Sequence, residues 1–295
     1  MRPKINRCQM CSRNINPPKA VYLRGQAVKN IDPCRAKGQP LPETLVIPPG
    51  TYRVHGHSYR LVKEGLYRFF NIGVENQQRI VYRSDPWAFV SALSWLSSHG
   101  SRDNEKSINC KMRIAMREKL IITCGDMSDF GQHFLSEHGV AARRVATNTL
   151  DELNNYDTGH QLAEVKIDGK WILTDMDVKV LFRCGGQRLS LLEAVDAIAR
   201  DDYQLEPLAQ AVGIAVSNFT EKNYDYGLWM ETHFCSQPAI RVWYRHIMGI
   251  PKISQDGKTY FTAQTDLQRR KVQRRWKNLT YLSRPDFIKR FYGEK

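Results

Sequence analysis

The chain has 295 residues, of which 42% are hydrophobic and 25% charged, and its formal net charge is +14. This composition excludes a globally disordered chain, and no apolar run reaches the roughly 20 residues that a membrane-spanning helix needs. The excess of Lys and Arg favours a polyanionic partner or an anionic membrane surface.

The first 83 residues are predicted to form a loop-rich and β-rich N-terminal region. Prolines punctuate the sequence up to residue 42, which is typical of loops. Short alternating segments follow, and they predict strands over Thr44–Ile47, Thr51–Val54, Ser58–Val62, Tyr67–Phe70 and Arg79–Tyr82.

Two cysteines of this region, Cys8 and Cys11, have the spacing of half a structural zinc site. Cys34 and either His57 or His55 would complete a set of three thiolates and one imidazole. Because a second closely spaced cysteine pair is missing, a loop of free thiols is the alternative. The odd total of seven cysteines, and the lack of an apolar segment after the basic N-terminus, favour a reducing, cytoplasmic location over secretion.

Residues 84–220 are predicted to form the core that carries the chemistry. Helices are expected over Pro86–Leu96, where the proline lies near the helix start, and over Lys111–Leu120. A third predicted helix begins at Cys124. Because a helix N-terminus carries partial positive charge and the thiolate is the reactive form of cysteine, Cys124 is a candidate nucleophile.

A predicted hairpin follows the Cys124 helix. His160 precedes an alternating segment, and Asp175 ends a second one after the Asp168-Gly169 turn, a dipeptide typical of tight hairpins. Pairing of these strands would bring His160 and Asp175 to the same end. The three residues could then form a relay with a cysteine nucleophile, a histidine acid–base and an orienting aspartate.

Three motifs resemble those of the transglutaminase-like superfamily and occur in the same order along the chain. They are the Cys124 helix followed by Gly139–Arg143, then His160–Val165, then Trp171–Asp175. The resemblance implies an α+β fold with a papain-like core, in which the nucleophile helix packs on an antiparallel sheet. It also implies that Cys124, His160 and Asp175 attack an amide carbonyl and form a thioester that passes to an amine or to water. No cofactor is required for this chemistry.

The oxyanion formed in such a reaction needs hydrogen-bond donors, and the backbone N–H of Cys124 is one candidate. The resemblance implies that a second donor is a side chain upstream of the cysteine, and the candidates by position are Asn109, Trp95 and Trp87. Asp177 is an alternative to Asp175 as the orienting acid. Asp175 is preferred because its spacing from Trp171 fits the family motif.

Further elements are predicted after the hairpin. Ser190–Arg200 is an amphipathic segment with Ser190 as N-cap and Glu193 as its capping-box partner. Leu205–Val216 is expected to form a second helix. Residues 221–295 are expected to form an aromatic, basic and helical C-terminal extension, whose aromatic residues either pack in the core or line a substrate groove.

Five basic residues of the extension are candidates for binding a polyanion, namely Arg269, Arg270, Arg274, Arg275 and Lys277. Nucleic acid, an anionic glycan, a membrane surface or an acidic protein would fit such a surface. The alternative interpretation is a solvated helix face.

Two functional hypotheses follow. The first is a cysteine-dependent acyltransferase or hydrolase that acts on an amide of a peptide, protein or glycoconjugate, which includes protease and amidase activities. The second is a non-catalytic binding or scaffold protein that keeps the same fold and binds a polyanion through its basic surface.

Overall fold

The computed structural model describes four long stretches of the chain and several short ones nearer the N-terminus. The long stretches are residues 97–115, 120–153, 158–208 and 237–293, and the short ones are residues 31–34, 38–40, 46–54, 57–61, 65–68, 80–81, 86–87, 90 and 93–94. Within these residues no helix combines the length and the apolar character that crossing a membrane requires. The domain boundaries predicted after residues 83 and 220 lie outside the described residues.

The N-terminal region contains two small antiparallel sheets. Their strands are β1 (Ile31–Cys34), β2 (Val46–Ile47), β3 (Gly50–Val54), β4 (His57–Leu61), β5 (Gly65–Arg68) and β6 (Ile80–Val81). One sheet has the order β1-β4-β3 and the other β2-β5-β6, and strands β2 to β6 confirm the five predicted segments. Strand β1 was not predicted because it contains Pro33. It lies at a sheet edge, where the missing N–H of proline is tolerated.

A short segment leads from this region to Cys124. It contains β7 (Ser97–His99), α1 (Ile108–Ala115) and β8 (Leu120–Ile122), and β7 pairs with β8 in parallel. The described residues within the predicted helix Pro86–Leu96 are helical. Helix α1 begins before the predicted Lys111, and Leu120 starts a strand instead of ending that helix.

The main sheet has nine strands. They are β9 (Ala142–Asn148), β10 (Gly159–Ile167), β11 (Lys170–Asp175), β12 (Val180–Cys184), β13 (Gln187–Arg188), β14 (Gln204–Pro207), β15 (Ile250–Gln255), β16 (Lys258–Phe261) and β17 (Leu279–Tyr281). The order is β13-β12-β11-β10-β9-β15-β16-β17, with β14 paired to β12. Only the β16–β17 pair among these described strands is parallel. The large, mostly antiparallel sheet together with helices gives an α+β protein, as predicted.

Helices cover both faces of the main sheet. Five follow α1 in the described residues: α2 (Cys124–Glu137), α3 (Leu191–Ala199), α4 (Gln237–Ile247), α5 (Asp266–Arg275) and α6 (Arg284–Phe291). On one face α2 packs against the sheet through a buried apolar cluster that includes Phe130, Phe134 and Ala163. On the other face α3 and α4 pack through a second cluster that includes Leu162 and Tyr244.

Local sequence signals account for the hairpin and for the start of α3. Asp168 and Gly169 have φ values of 52° and 80°, the left-handed conformation that a tight two-residue hairpin turn requires. At α3, Ser190 accepts a hydrogen bond from the backbone N–H of Glu193, and the Glu193 carboxylate accepts one from the N–H of Ser190 at 2.7 Å. Both predictions are confirmed, because each depends on residues close in sequence.

Two predictions about the second half of the chain were wrong. Residues 205–207, the first three of the helix predicted over Leu205–Val216, belong instead to strand β14, which pairs with β12. Leu208 is helical, and the rest of that prediction lies outside the described residues. The C-terminal extension is not only helical, because β15, β16 and β17 join the main sheet through β9. The sequence contains a signal for this hairpin in Asp256-Gly257, whose φ values of 51° and 72° match those of the first hairpin turn.

Candidate active site

Cys124 is the first residue of α2, and its side chain is half-buried. Thr123 at the N-cap has an extended backbone, and its side chain makes no capping hydrogen bond. By contrast, hydroxyl side chains cap α3, α5 and α6. The first-turn N–H groups of α2 therefore lack a side-chain cap where the Cys124 thiol lies, and they are available to stabilise negative charge there.

Two adjacent side chains fix the segment that leads into Cys124. Asp103 accepts a hydrogen bond from the backbone N–H of Ile121 at 2.9 Å, and Asn104 accepts one from the N–H of Thr123 at 2.9 Å. Burial alone would raise the pKa of Asp103, but hydrogen bonds from Arg102, the Ile121 N–H and other donors lower it to about 2. Asp103 is therefore a buried carboxylate that anchors β8.

An ion pair lies at the first turn of α2. Lys111, which is 4% exposed, forms an ion pair with the Asp126 carboxylate. A carboxylate so close to Cys124 would oppose formation of the thiolate. The Lys111 ammonium offsets that charge.

His160 and Asp175 form a buried pair at the end of the hairpin. Nε2 of His160 lies 2.8 Å from Oδ2 of Asp175, and the two residues are 4% and 0% exposed. The other carboxylate oxygen, Oδ1, accepts hydrogen bonds from the backbone N–H groups of Asp177 and Val178, both at 3.0 Å. These bonds hold the carboxylate in one orientation, so Asp175 rather than Asp177 contacts His160.

The environment of His160 raises its pKa well above the ordinary value. Burial opposes this shift, but the charge of Asp175 and its hydrogen bond raise the pKa, and Cys124 adds a hydrogen bond and a favourable charge. Because Nε2 pairs with Asp175, Nδ1 is the ring nitrogen left to contact Cys124. The structure thus brings the three predicted site residues together.

Two aromatic residues of α4 complete the surroundings of the pair. The Tyr244 hydroxyl donates a hydrogen bond to Oδ2 of Asp175 at 2.8 Å, and Tyr244 is fully buried. The Trp243 ring meets the His160 ring edge-on, with centroids 5.1 Å apart. The sequence contains these two aromatic residues, but it does not show that they lie beside His160 and Asp175, because α4 is far from both along the chain. Trp243 and Tyr244 therefore belong to the site as well as to the core.

The predicted oxyanion side chains lie in different places. Asn109 is exposed on α1, and Trp87 is half-buried with the guanidinium of Arg188 at 4.4 Å from its ring centroid. Trp95 lies outside the described residues. The upstream amide that the structure brings to the nucleophile segment is Asn104, through its bond to Thr123.

The predicted zinc ligands are only partly described. Cys8, Cys11 and the alternative ligand His55 lie outside the described residues. On the backbone, Cys34 of β1 pairs with Ser58 of β4, which follows His57. No cluster of three or more possible ligands occurs in the described part of the chain. The zinc site stays a prediction.

The five basic candidates lie on or next to α5, and they have two kinds of surroundings. Arg269 pairs with Asp266 at 3.0 Å, and Arg275 donates a hydrogen bond to a backbone carbonyl. The other three are exposed, namely Arg270, Arg274 and Lys277, and Arg270 also lies 3.6 Å from the Asp266 carboxylate. The exposed subset forms a basic surface away from the packed core.

Comparison of the chain with protein-family models, with curated proteins and with solved structures finds no match.

Proposed function

We propose that this protein is a transglutaminase-like, cysteine-dependent acyltransferase or hydrolase. Its substrate would be an amide of a peptide, protein or glycoconjugate. The observation that carries the proposal is the buried His160–Asp175 pair, whose histidine pKa Cys124 also raises, beside a helix start that no side chain caps. A reducing, cytoplasmic location would keep Cys124 as a free thiol.

In the first half of the proposed reaction, Sγ of Cys124 attacks the carbonyl carbon of the amide. The raised pKa of His160 keeps its imidazole protonated beside the thiolate. The backbone N–H of Cys124 and its neighbours in the first turn of α2 are directed at the developing oxyanion. His160 then donates its proton to the leaving amine as the C–N bond breaks, which gives a thioester.

In the second half, His160 is neutral and acts as a base. It accepts a proton from water or from an amine as that acceptor attacks the thioester carbonyl. The C–S bond then breaks, and the electron pair returns to the Cys124 sulfur. Asp175 holds the imidazole in one orientation through both halves, and Trp243 limits access of water to the His160–Asp175 pair.

Alkylation by iodoacetamide tests the activated thiol. We expect Cys124 to be labelled rapidly near about pH 6 in the wild type, and slowly there in His160→Gln. Cys184 is an internal control, because its hydrogen bond to Asp202 raises the pKa of its thiol. Peptide mapping separates the two sites. Labelling of Cys124 that rises only near about pH 8.5 and does not respond to His160→Gln would contradict the proposal.

Acylation by p-nitrophenyl acetate tests the thioester step. We expect a burst of p-nitrophenol of one equivalent per chain, with an acetyl group on Cys124 detected by mass spectrometry. Cys124→Ala should abolish the burst, and Asp175→Asn should slow it. A burst of equal size in Cys124→Ala would show that another residue reacts.

A second candidate function is polyanion binding, which the exposed positions of Arg270, Arg274 and Lys277 favour. If the surface binds nucleic acid, changing these three residues to Gln should weaken binding and reduce its dependence on salt. A filter-binding titration at several salt concentrations measures both effects. A Kd above about 10 µM for the wild type at low salt would exclude nucleic acid as the partner.

A further inference from the structure

A second histidine–aspartate pair lies beside the proposed active site. Nδ1 of His99 is 2.7 Å from Oδ2 of Asp177, and the two side chains are 20% and 3% exposed. The aspartate is therefore buried while the imidazole reaches solvent. Neither side chain has a role in the relay of Cys124, His160 and Asp175.

Strand register and a backbone hydrogen bond relate this pair to the nucleophile segment and to the first pair. In the parallel β7–β8 pairing, His99 is level with Ile122, two residues before Cys124. Asp177 follows Asp175 by two residues, and its backbone N–H donates to the Asp175 carboxylate. His99 and Asp177 thus connect the strand that leads into the nucleophile with the end of the hairpin that carries the acid.

The contact with Asp177 sets the tautomer of neutral His99. Burial would raise the pKa of Asp177, but His99, His160 and Lys179 lower it to about 2, so Asp177 is ionised at neutral pH. A carboxylate at Nδ1 requires a proton on that nitrogen, so neutral His99 has its lone pair on Nε2. This is the form of a base.

Two other charges act on the Asp177 carboxylate, those of His160 and Lys179. Oδ1 of Asp177 is buried without a hydrogen-bond partner in the described residues, so it adds negative potential. The buried ammonium of Lys179 donates to the carbonyl of Ser97, two residues before His99, and it opposes a lasting positive charge on the imidazole. A proton taken up by His99 would therefore pass on to solvent through the exposed part of its ring.

The proposed reaction leaves one proton without an acceptor. His160 gives one proton to the leaving group and takes back one from the acceptor, so it is balanced for water or for a neutral amine. A primary amine at neutral pH is an ammonium ion, which has no lone pair until it loses an additional proton. A second base close to Cys124 would take that proton within the site, so that the predominant ammonium form could serve as the acceptor.

We propose that His99, oriented by Asp177, is this second base. The inference rests on the proposed function. Nε2 of His99 removes one proton from the ammonium ion, and the freed lone pair attacks the thioester carbonyl. His160 takes the second proton from the same nitrogen, the C–S electron pair returns to Cys124, and His99 releases its proton to solvent. An amide and a regenerated Cys124–His160 pair result.

The test uses acetyl-Cys124 formed from p-nitrophenyl acetate and compares three acceptors at pH 7. Butylamine resembles the side chain of lysine, with a pKa of about 10.4, and glycinamide resembles an α-amino group, with a pKa of about 8. Methoxyamine is already neutral. The rate of transfer to each amine is measured for the wild type, His99→Gln and Asp177→Asn.

We expect His99→Gln to slow transfer to butylamine on the order of 100-fold, transfer to glycinamide less, and transfer to methoxyamine not at all. Asp177→Asn should show the same ranking. His133→Gln, which changes an exposed histidine on α2, should match the wild type. The size of the p-nitrophenol burst reports whether each variant retains a folded site.

A structural role of His99 predicts a different pattern, because misplacement of Cys124 would slow all three amines equally. Equal slowing, or no slowing, with a normal burst would overturn the role of His99 and leave the proposed function intact. A wild-type protein with no Cys124-dependent burst would overturn the proposed function, and this inference with it. The two failures are therefore distinguishable.

Discussion

The hydroxyl of Tyr244 donates a hydrogen bond to the Asp175 carboxylate at 2.8 Å, across 69 positions of the chain. Asp175 therefore has donors from its own turn, from His160 and from α4. Helix α4 packs against the His160–Asp175 pair through its buried Tyr244 and through Trp243. The surroundings of His160 are in this way coupled to the packing of the C-terminal part of the chain.

Tyr244→Phe should destabilise the protein and slow acylation of Cys124. Removal of a hydrogen bond to a buried carboxylate is expected to lower the free energy of unfolding by about 1–3 kcal/mol. The acylation rate should fall by up to about tenfold because Asp175 orients His160 less well. Urea denaturation and the p-nitrophenyl acetate burst measure the two effects.

Tyr292→Phe is the matched control for that change. Tyr292 donates to the buried Glu164 at 2.9 Å, outside the contacts of Cys124 and His160. Tyr292→Phe should lower the free energy of unfolding by about as much as Tyr244→Phe does, and it should leave the acylation rate unchanged. A wild-type rate in Tyr244→Phe would show that the tyrosine contributes to packing alone.

Trp243→Ala should reduce the reactivity of Cys124 at low pH. Without the indole ring against His160, water would reach the His160–Asp175 pair and weaken its electrostatic interaction. Labelling by iodoacetamide near about pH 6 should slow severalfold, and Trp243→Phe should restore part of the rate. If both variants label like the wild type, the ring does not shield the pair.

The stability of the protein should fall as the pH rises through the folded-state pKa of His160. The folded pKa is raised, so folding favours the protonated imidazole. This contribution is complete below the unfolded pKa of about 6.5 and is lost as the pH rises through the folded value. Denaturation of Cys124→Ala with and without His160→Gln isolates the pair. A difference between the two that does not shrink with rising pH would contradict the assigned direction.

Glu164→Gln should affect stability without affecting the chemistry. Glu164 is fully buried, pairs with Arg143 at 2.6 Å and accepts a hydrogen bond from the backbone N–H of Leu191 at 2.7 Å. Loss of one partner of a buried ion pair is expected to cost about 3 kcal/mol. The pH profile of Cys124 labelling should stay that of the wild type at temperatures where the variant is folded. A shifted profile would mean that the charge of Glu164 reaches the site.

Several features could be predicted because neighbours in sequence determine them. The Asp168-Gly169 turn brings His160 and Asp175 to one end of a hairpin, and the alternating segments on each side fix which strands pair. Ser190 and Glu193 cap α3 through bonds three residues apart. Such features need only local propensity and short-range hydrogen bonds.

The C-terminal strands had local sequence signals, but the strands with which they pair could not be predicted. Asp256-Gly257 marks a hairpin as clearly as Asp168-Gly169 does. Its position beside β9 depends on the apolar surfaces that β15 and its neighbours bury together. Pairing between distant strands is a property of the whole core and not of either segment.

The sequence by itself determined the α+β class, the hairpin and the candidate residues Cys124, His160 and Asp175. The tertiary structure shows the preferred Asp175 against His160, and it alone decided that Tyr244 and Trp243 surround the pair. The reason is physical. Hydrogen bonds and ion pairs act over a few ångströms in space. Cys124 and Tyr244 of this site lie 120 positions apart in the chain.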